Sequence, residues 1–181
     1  LARERIGRAE AQLLQLDRYA DEIAESQRFQ SKKRYEREFG ERLVLCAPLG
    51  GGFDMRRYAR VTSAIYEAAP GMRLVPLYTE GVARGLGEPF LGVSLGEEKG
   101  LAAYVQVETL PSYPFDAEVA ARVALEKGMT LVRLPAGRYS CDRVRSADFS
   151  ECFQFGLDKI DAASGPVLLA DQWEPASTPH A

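Results

Sequence analysis

Apolar residues recur along the first 30 positions as Ala2, Ile6, Ala9, Leu13, Leu16, Ala20 and Ile23, at spacings of 4, 3, 4, 3, 4 and 3. That is the a/d pattern of a coiled coil, and the positions between are mostly charged or Gln. No Pro interrupts the stretch, and only Gly7 weakens it, by about 1 kcal/mol relative to Ala. The spacing predicts a dimerisation helix over residues 1–30, with Ile6, Ala9, Leu13, Leu16, Ala20 and Ile23 on its seam. The competing reading is an amphipathic helix folded onto its own domain, although such helices usually carry a wider apolar stripe. The Ala seam positions bury little area each, so dimerisation is expected to need help from parts of the protein outside this chain. Residues 27–38 interleave Lys32, Lys33, Arg34 and Arg37 with Glu36 and Glu38, which reads as a solvated hinge over 31–40.

After Gly40 the period changes. Residues 42–49, an apolar run closed by Gly50-Gly51-Gly52, predict a strand ending in a turn. Met55, Tyr58, Thr62, Ile65, Tyr66 and Ala69 follow at helical spacing, with Asp54 suited to the N-terminal end and Pro70-Gly71 as the stop. Residues 74–78 predict a second strand that Pro76 directs to an edge or a bulge. A Gly-rich connection over Gly81–Gly87 is expected to be mobile, and residues 101–108 alternate as a strand. The same order returns about 87 residues on: a strand over 130–137, a helix carrying Phe149, Cys152, Phe153, Leu157 and Ile160, the stop Ser164-Gly165-Pro166, then a strand from Val167. Tyr78-Thr79-Glu80 and Gln172-Trp173-Glu174 each put an aromatic ahead of a carboxylate. The shared order points to one module used twice, over about 41–110 and 128–175.

Composition narrows the chemistry. The 181 residues are 46% hydrophobic and 27% charged, enough for a single core without disulfides or metals. The net charge is -3, which argues against a chain built mainly to grip phosphates. The first 40 residues carry nine Lys and Arg against eight Asp and Glu, and the remainder 14 against 18. The globular part is therefore mildly acidic and suits a neutral or cationic partner. No run of about 18 apolar residues predicts a membrane span. The opening Leu1-Ala2-Arg3-Glu4 has no signal-peptide character and is expected to continue a longer protein.

Cys46, Cys141 and Cys152 show no CxxC spacing, so they read as reduced thiols of a cytoplasmic protein rather than a disulfide or metal set. His180 stands beside the last residue, where a catalytic base would be poorly held. Neither Gly-rich stretch has the spacing of a phosphate loop. No motif asks for a cofactor or a metal, and no catalytic residue is assigned.

Leu134-Pro135-Ala136-Gly137-Arg138-Tyr139-Ser140-Cys141 resembles the lPaGxYa strand of the GyrI-like small-molecule-binding superfamily. Together with the preceding heptad seam, the chain resembles the C-terminal part of MerR-type multidrug-responsive transcription regulators. The resemblance implies an α+β fold: a duplicated strand-helix-strand-strand, GyrI-like antiparallel sheet domain over 41–181, with helices on one side, preceded by a long coiled-coil helix. It also implies a homodimer that reaches DNA only through a winged-helix domain ahead of the chain, and a small hydrophobic or cationic ligand in a cleft.

Aromatic faces attract a lipophilic cation and a buried carboxylate balances it. The expected ligand-binding residues are Tyr66, Tyr78, Tyr104, Tyr139, Phe155 and Trp173, with Asp171 or Glu174 as counter-charge. Val167-Leu168-Leu169-Ala170 stands where the family usually carries a Glu. Two alternatives remain. One is a GyrI-like hydrolase using Glu80, Glu108 or Glu174 beside Tyr104 or Tyr139. The other is a gyrase-inhibitor-like domain that binds protein.

Overall fold

A computed structural model describes residues 2–29, 31–50, 52–86 and 100–170. The fold is α+β: a long N-terminal helix precedes antiparallel sheets with helices. Helix α1 spans Ala2–Arg28, and strands β1 (Arg34–Phe39) and β2 (Arg42–Gly50) follow. Helix α2 (Met55–Ala68) leads through a 3-10 turn over Ala69–Met72 into β3 (Leu74–Arg84) and β4 (Leu101–Thr109). Then come α3 (Ala117–Glu126), β5 (Thr130–Leu134), β6 (Gly137–Asp142), α4 (Phe149–Ala162) and β7 (Val167–Ala170).

Five strands form one antiparallel sheet in the order β5-β2-β4-β3-β7, and β1 pairs with β6 in a separate ribbon. The Asp residues ahead of α2, α3 and α4 cap them: Asp54 accepts from the Arg57 amide at 2.9 Å, Asp116 from Glu118 and Val119 at 3.0 Å, and Asp148 from Ser150 at 2.8 Å. Each cap satisfies an amide that the first helical turn leaves without a partner. One sheet face takes the apolar sides of these three helices. Leu45, Ala47, Val82, Val105 and Leu131 of the strands pack there with Ile65, Ala124 and Ile160 of α2, α3 and α4.

Two local readings change, and one helix is added. The segment expected as a hinge carries strand β1, in which Tyr35, Arg37 and Phe39 are half-buried and Arg34, Glu36 and Glu38 are exposed. Its charges mask a period of two, and its partner β6 lies about 100 residues away, so local composition could not reveal the pairing. Gly81, Val82 and Ala83 are not a connection but the buried end of β3. A Cβ at Gly81 would overlap the Leu169 carbonyl oxygen, so glycine is what lets β7 pair there. Helix α3 has too short an apolar period for the pattern above to single it out.

Pro76 acts as expected. The register of β3 against β4 breaks between Pro76 and Glu80, leaving Leu77, Tyr78 and Thr79 bulged from the ladder. Helix α1 meets this bulge. The Gln15 amide donates to the Pro76 carbonyl at 3.2 Å, Arg18 pairs with Glu108 at 2.8 Å, and the Thr79 hydroxyl donates to Glu22 at 2.7 Å. Further along, Arg143 donates to the Ser26 hydroxyl at 2.7 Å.

Candidate functional site: the second face of the sheet

Alternation along the strands sends Arg42, Val44 and Cys46 of β2, Ala102, Tyr104 and Gln106 of β4, and Thr130, Val132 and Leu134 of β5 to the face away from α2, α3 and α4. Registers align them in rows across the sheet. Thr130, Cys46, Tyr104, Gly81 and Ala170 stand side by side in one row, and Val132, Val44 and Gln106 in the next. Leu134 and Arg42 pair at the end of the face. Gly81, Ala83 and Ala102 around Tyr104 make its ring the bulkiest group on that side of β3 and β4. The face is buried: Tyr104 is 2% exposed and Cys46 fully covered. It is apolar apart from a polar set of Tyr104, Gln106, Thr130 and, at its end, Arg42.

The half-buried side of the β1–β6 ribbon meets this face at Arg42. Phe39 and Tyr139 sit edge to face, their centroids 5.4 Å apart. The Arg42 guanidinium lies 3.9 Å from the Phe39 centroid and 5.0 Å from that of Tyr139, within range of cation–π attraction. Arg37 also lies over Phe39, at 4.3 Å, and pairs with Glu25 of α1 at 3.6 Å. The Tyr139 hydroxyl donates to the Pro135 carbonyl at 2.6 Å, which holds the ring in place.

Burial pushes the Cys46 thiol up to about 12 and raises that of Cys141 as well, the latter against the pull of Arg37 and Arg42. Both thiols are therefore protonated and poor nucleophiles at neutral pH. Tyr66 is also raised, by burial first and the neighbouring Glu80 carboxylate second.

The expected ligand-binding residues divide. Tyr104 is on the second face and Tyr139 is in the ribbon at its end. Tyr66 is on α2, against the helix-covered face, where its hydroxyl donates to the Leu77 carbonyl at 3.1 Å. Tyr78 is 70% exposed on the β3 bulge, its ring 6.0 Å from that of Tyr19 in α1. Phe155 is half-buried on α4, with the Lys159 ammonium 5.3 Å from its ring centroid. Asp171, Trp173 and Glu174 lie outside the described residues. The seam residues Ile6, Ala9, Leu13, Leu16, Ala20 and Ile23 are all exposed, Leu13 at 62% and Leu16 at 65%.

Arg42, Phe39, Gln106 and Thr130 escape a search guided by Tyr and carboxylates. Arg42 had a legible signal: it is in phase with Val44 and Cys46 on an otherwise apolar strand. Phe39 had none, because only the pairing of β1 with β6 brings it to Tyr139. On the helix side, an open depression of about 360 Å³ is lined by Ala64, Glu67, Ala68, Lys127 and Met129, without an aromatic ring. Among the described residues no helix is long and apolar enough to cross a membrane. Comparison with protein-family models, with curated proteins and with solved structures finds no match to this chain.

Proposed function

We propose that this chain is the ligand-sensing and dimerisation part of a MerR-type transcription regulator that takes a lipophilic small molecule. The observation that carries the reading is the orientation of α1. It turns Gln15, Arg18 and Glu22 to the sheet domain and leaves the apolar seam in solvent. A helix serving only its own domain would bury that stripe. A dimer would cover it with the seam of a second copy.

The topology supports the duplicated, GyrI-like form of the fold. Helices α2 and α4 are both 14 residues long, both capped by Asp, and each leads into a strand. The strands that correspond in the two halves pair with each other, β2 with β5 and β3 with β7. Two copies of one unit about a pseudo-twofold axis would pair in this way.

The mechanism is population shift: ligand bound by the sheet domain favours one arrangement of that domain against α1, and the helix pair carries that preference to a DNA-binding domain. Helix α1 touches the sheet at the β3 bulge and the ribbon at Arg143 and Arg37, so movement of either would reach it directly. The hydrolase alternative needs a carboxylate beside Tyr104 or Tyr139. Glu80 pairs with Val105 and faces the helices, and Glu108 is held by Arg18. Neither geometry favours it, and the third candidate, Glu174, lies outside the described residues.

A thermal-shift screen of the chain against lipophilic cations, neutral aromatics and organic acids tests the reading. A ligand that binds only the folded state adds about 2.7 kcal/mol at a hundredfold excess over its Kd. Selective shifts within one chemical class are expected. No shift in any class would count against a sensor and for a protein-binding domain.

A further inference from the structure

Strand β3 leaves its ladder with β4 at one place. Leu77, Tyr78 and Thr79 stand opposite the single residue Gln106, between the pairs Pro76–Val107 and Glu80–Val105. Backbone groups in such a segment must find partners outside the ladder. Two successive carbonyls do so through side chains of two different helices. The Pro76 carbonyl accepts from the Gln15 amide of α1 at 3.2 Å, and the Leu77 carbonyl from the Tyr66 hydroxyl of α2 at 3.1 Å. Helix α1 has two more holds on the same segment: Glu22 accepts from the Thr79 hydroxyl at 2.7 Å, and the Tyr19 ring lies 6.0 Å from that of Tyr78. Glu80, which closes the bulge, borders the Tyr66 hydroxyl in turn.

We infer that this bulge is a coupling joint between the two helices, in which Tyr66 of α2 is a positioning residue for α1 and acts through residues 76–79. Leu77 is 3% exposed, so its carbonyl, left without that hydroxyl, carries the cost of an unmet acceptor. A carbonyl within a ladder would be kept in place by its neighbours. Here the segment turns towards another donor, and Pro76, Tyr78 and Thr79 turn with it, away from Gln15, Tyr19 and Glu22. The movement reaches α1 because the helix buries no residue of its own that would resist it. Other anchors of α1, Arg18 on Glu108, Glu25 on Arg37 and Ser26 on Arg143, rest on β4, on β1 and beyond β6. The joint belongs to the chain itself whatever the sheet domain binds, so it stands or falls apart from the sensor reading.

Hydrogen exchange on the full chain tests the joint. Tyr66→Phe removes the hydroxyl and keeps the ring. It is expected to speed exchange of the α1 amides over residues 15–22 by about threefold to tenfold, the weight of one hydrogen bond, and to leave β2 and β4 unchanged. In a chain that already carries Gln15→Ala and Glu22→Ala, the same substitution is expected to add nothing at α1, because the helix no longer hydrogen-bonds the bulge. Unchanged α1 exchange in Tyr66→Phe overturns the inference. Equal acceleration of α1 and β4 also overturns it, since that marks general loosening. An acceleration of the same size in both backgrounds does so too, because the effect then travels by another route. Should Tyr66→Phe not fold, the reciprocal measurement decides: Gln15→Ala with Glu22→Ala should speed exchange in the last turn of α2 around Tyr66 by a comparable factor, and no change there overturns the joint.

Discussion

Cys46 and Asp142 show how one side chain's surroundings set its chemistry. Cys46 lies in the central row of the second face, fully buried, and its thiol is pushed up to about 12 by burial alone. Iodoacetamide at pH 8 is expected to leave Cys46 unmodified in the folded protein and to label it after denaturation, as peptide mass mapping would read. Labelling of Cys46 in the native state would mean that the face opens readily. Asp142 is the opposite case. The hydrogen bond from Arg34 at 2.8 Å, then that from Lys159, hold its carboxyl down to about 2. A depressed folded-state value stabilises the protein above the unfolded value, near pH 4, and that contribution is lost as pH falls through about 2. The pair is at the surface, where solvent screens it, so its worth is small. Urea unfolding of Asp142→Asn should therefore show a small deficit at neutral pH that closes between about pH 4 and pH 2; a deficit unchanged across that range would assign it to packing.

Elements differ in what holds them. Strands β2 and β4 pair on both sides and bury residues on both faces, whereas α1 buries none of its residues. The helix was legible as a whole from its heptad spacing, because an unbroken period from Ala2 to Ile23 outweighs one glycine. Its docking face was not legible, being made of Gln15, Arg18 and Glu22, whose partners are in β3 and β4. Ile6→Asp with Leu13→Asp removes apolar area from the exposed side only. Light scattering is expected to report a monomer with the far-ultraviolet spectrum of a folded sheet domain, and an unchanged mass would show that the seam does not carry assembly. Strand β1 was illegible for the reverse reason: its alternation is written in Tyr, Arg and Phe among Glu and Arg, which also describes a solvated linker.

At the scale of the molecule, cooperative structure is concentrated in the sheet and its three packed helices, with α1 attached by surface polar contacts. Such contacts open at low free energy, while buried ladders open only with global unfolding. Hydrogen exchange on the seam variant should find β2 and β4 the most protected and α1 the least, and protection of α1 should rise with concentration in the unaltered chain if α1 pairs with a second copy as proposed. Equal protection of α1 and β4 in that variant would show that the helix belongs to the core. Sheet closure also depends on close approaches that no local pattern announces, such as Gly81 against the Leu169 carbonyl and Gly156 of α4 against the Leu169 side chain.

By itself the sequence determined the elements whose period is carried by apolar residues: the long helix, β2, α2, β4 and α4, and the irregularity of β3 at Pro76. These follow from local chemistry, since 3.6-residue and two-residue periods need no distant partner to be read. Only the tertiary structure decided which faces those elements turn to one another. It placed Tyr66 on one side of the sheet and Tyr104 on the other, left Tyr78 on an exposed bulge, and brought Phe39 and Tyr139 over Arg42 from opposite parts of the chain. The physical reason is that a site is made of contacts between residues about 100 positions apart, and such contacts are set by strand register rather than by neighbouring sequence.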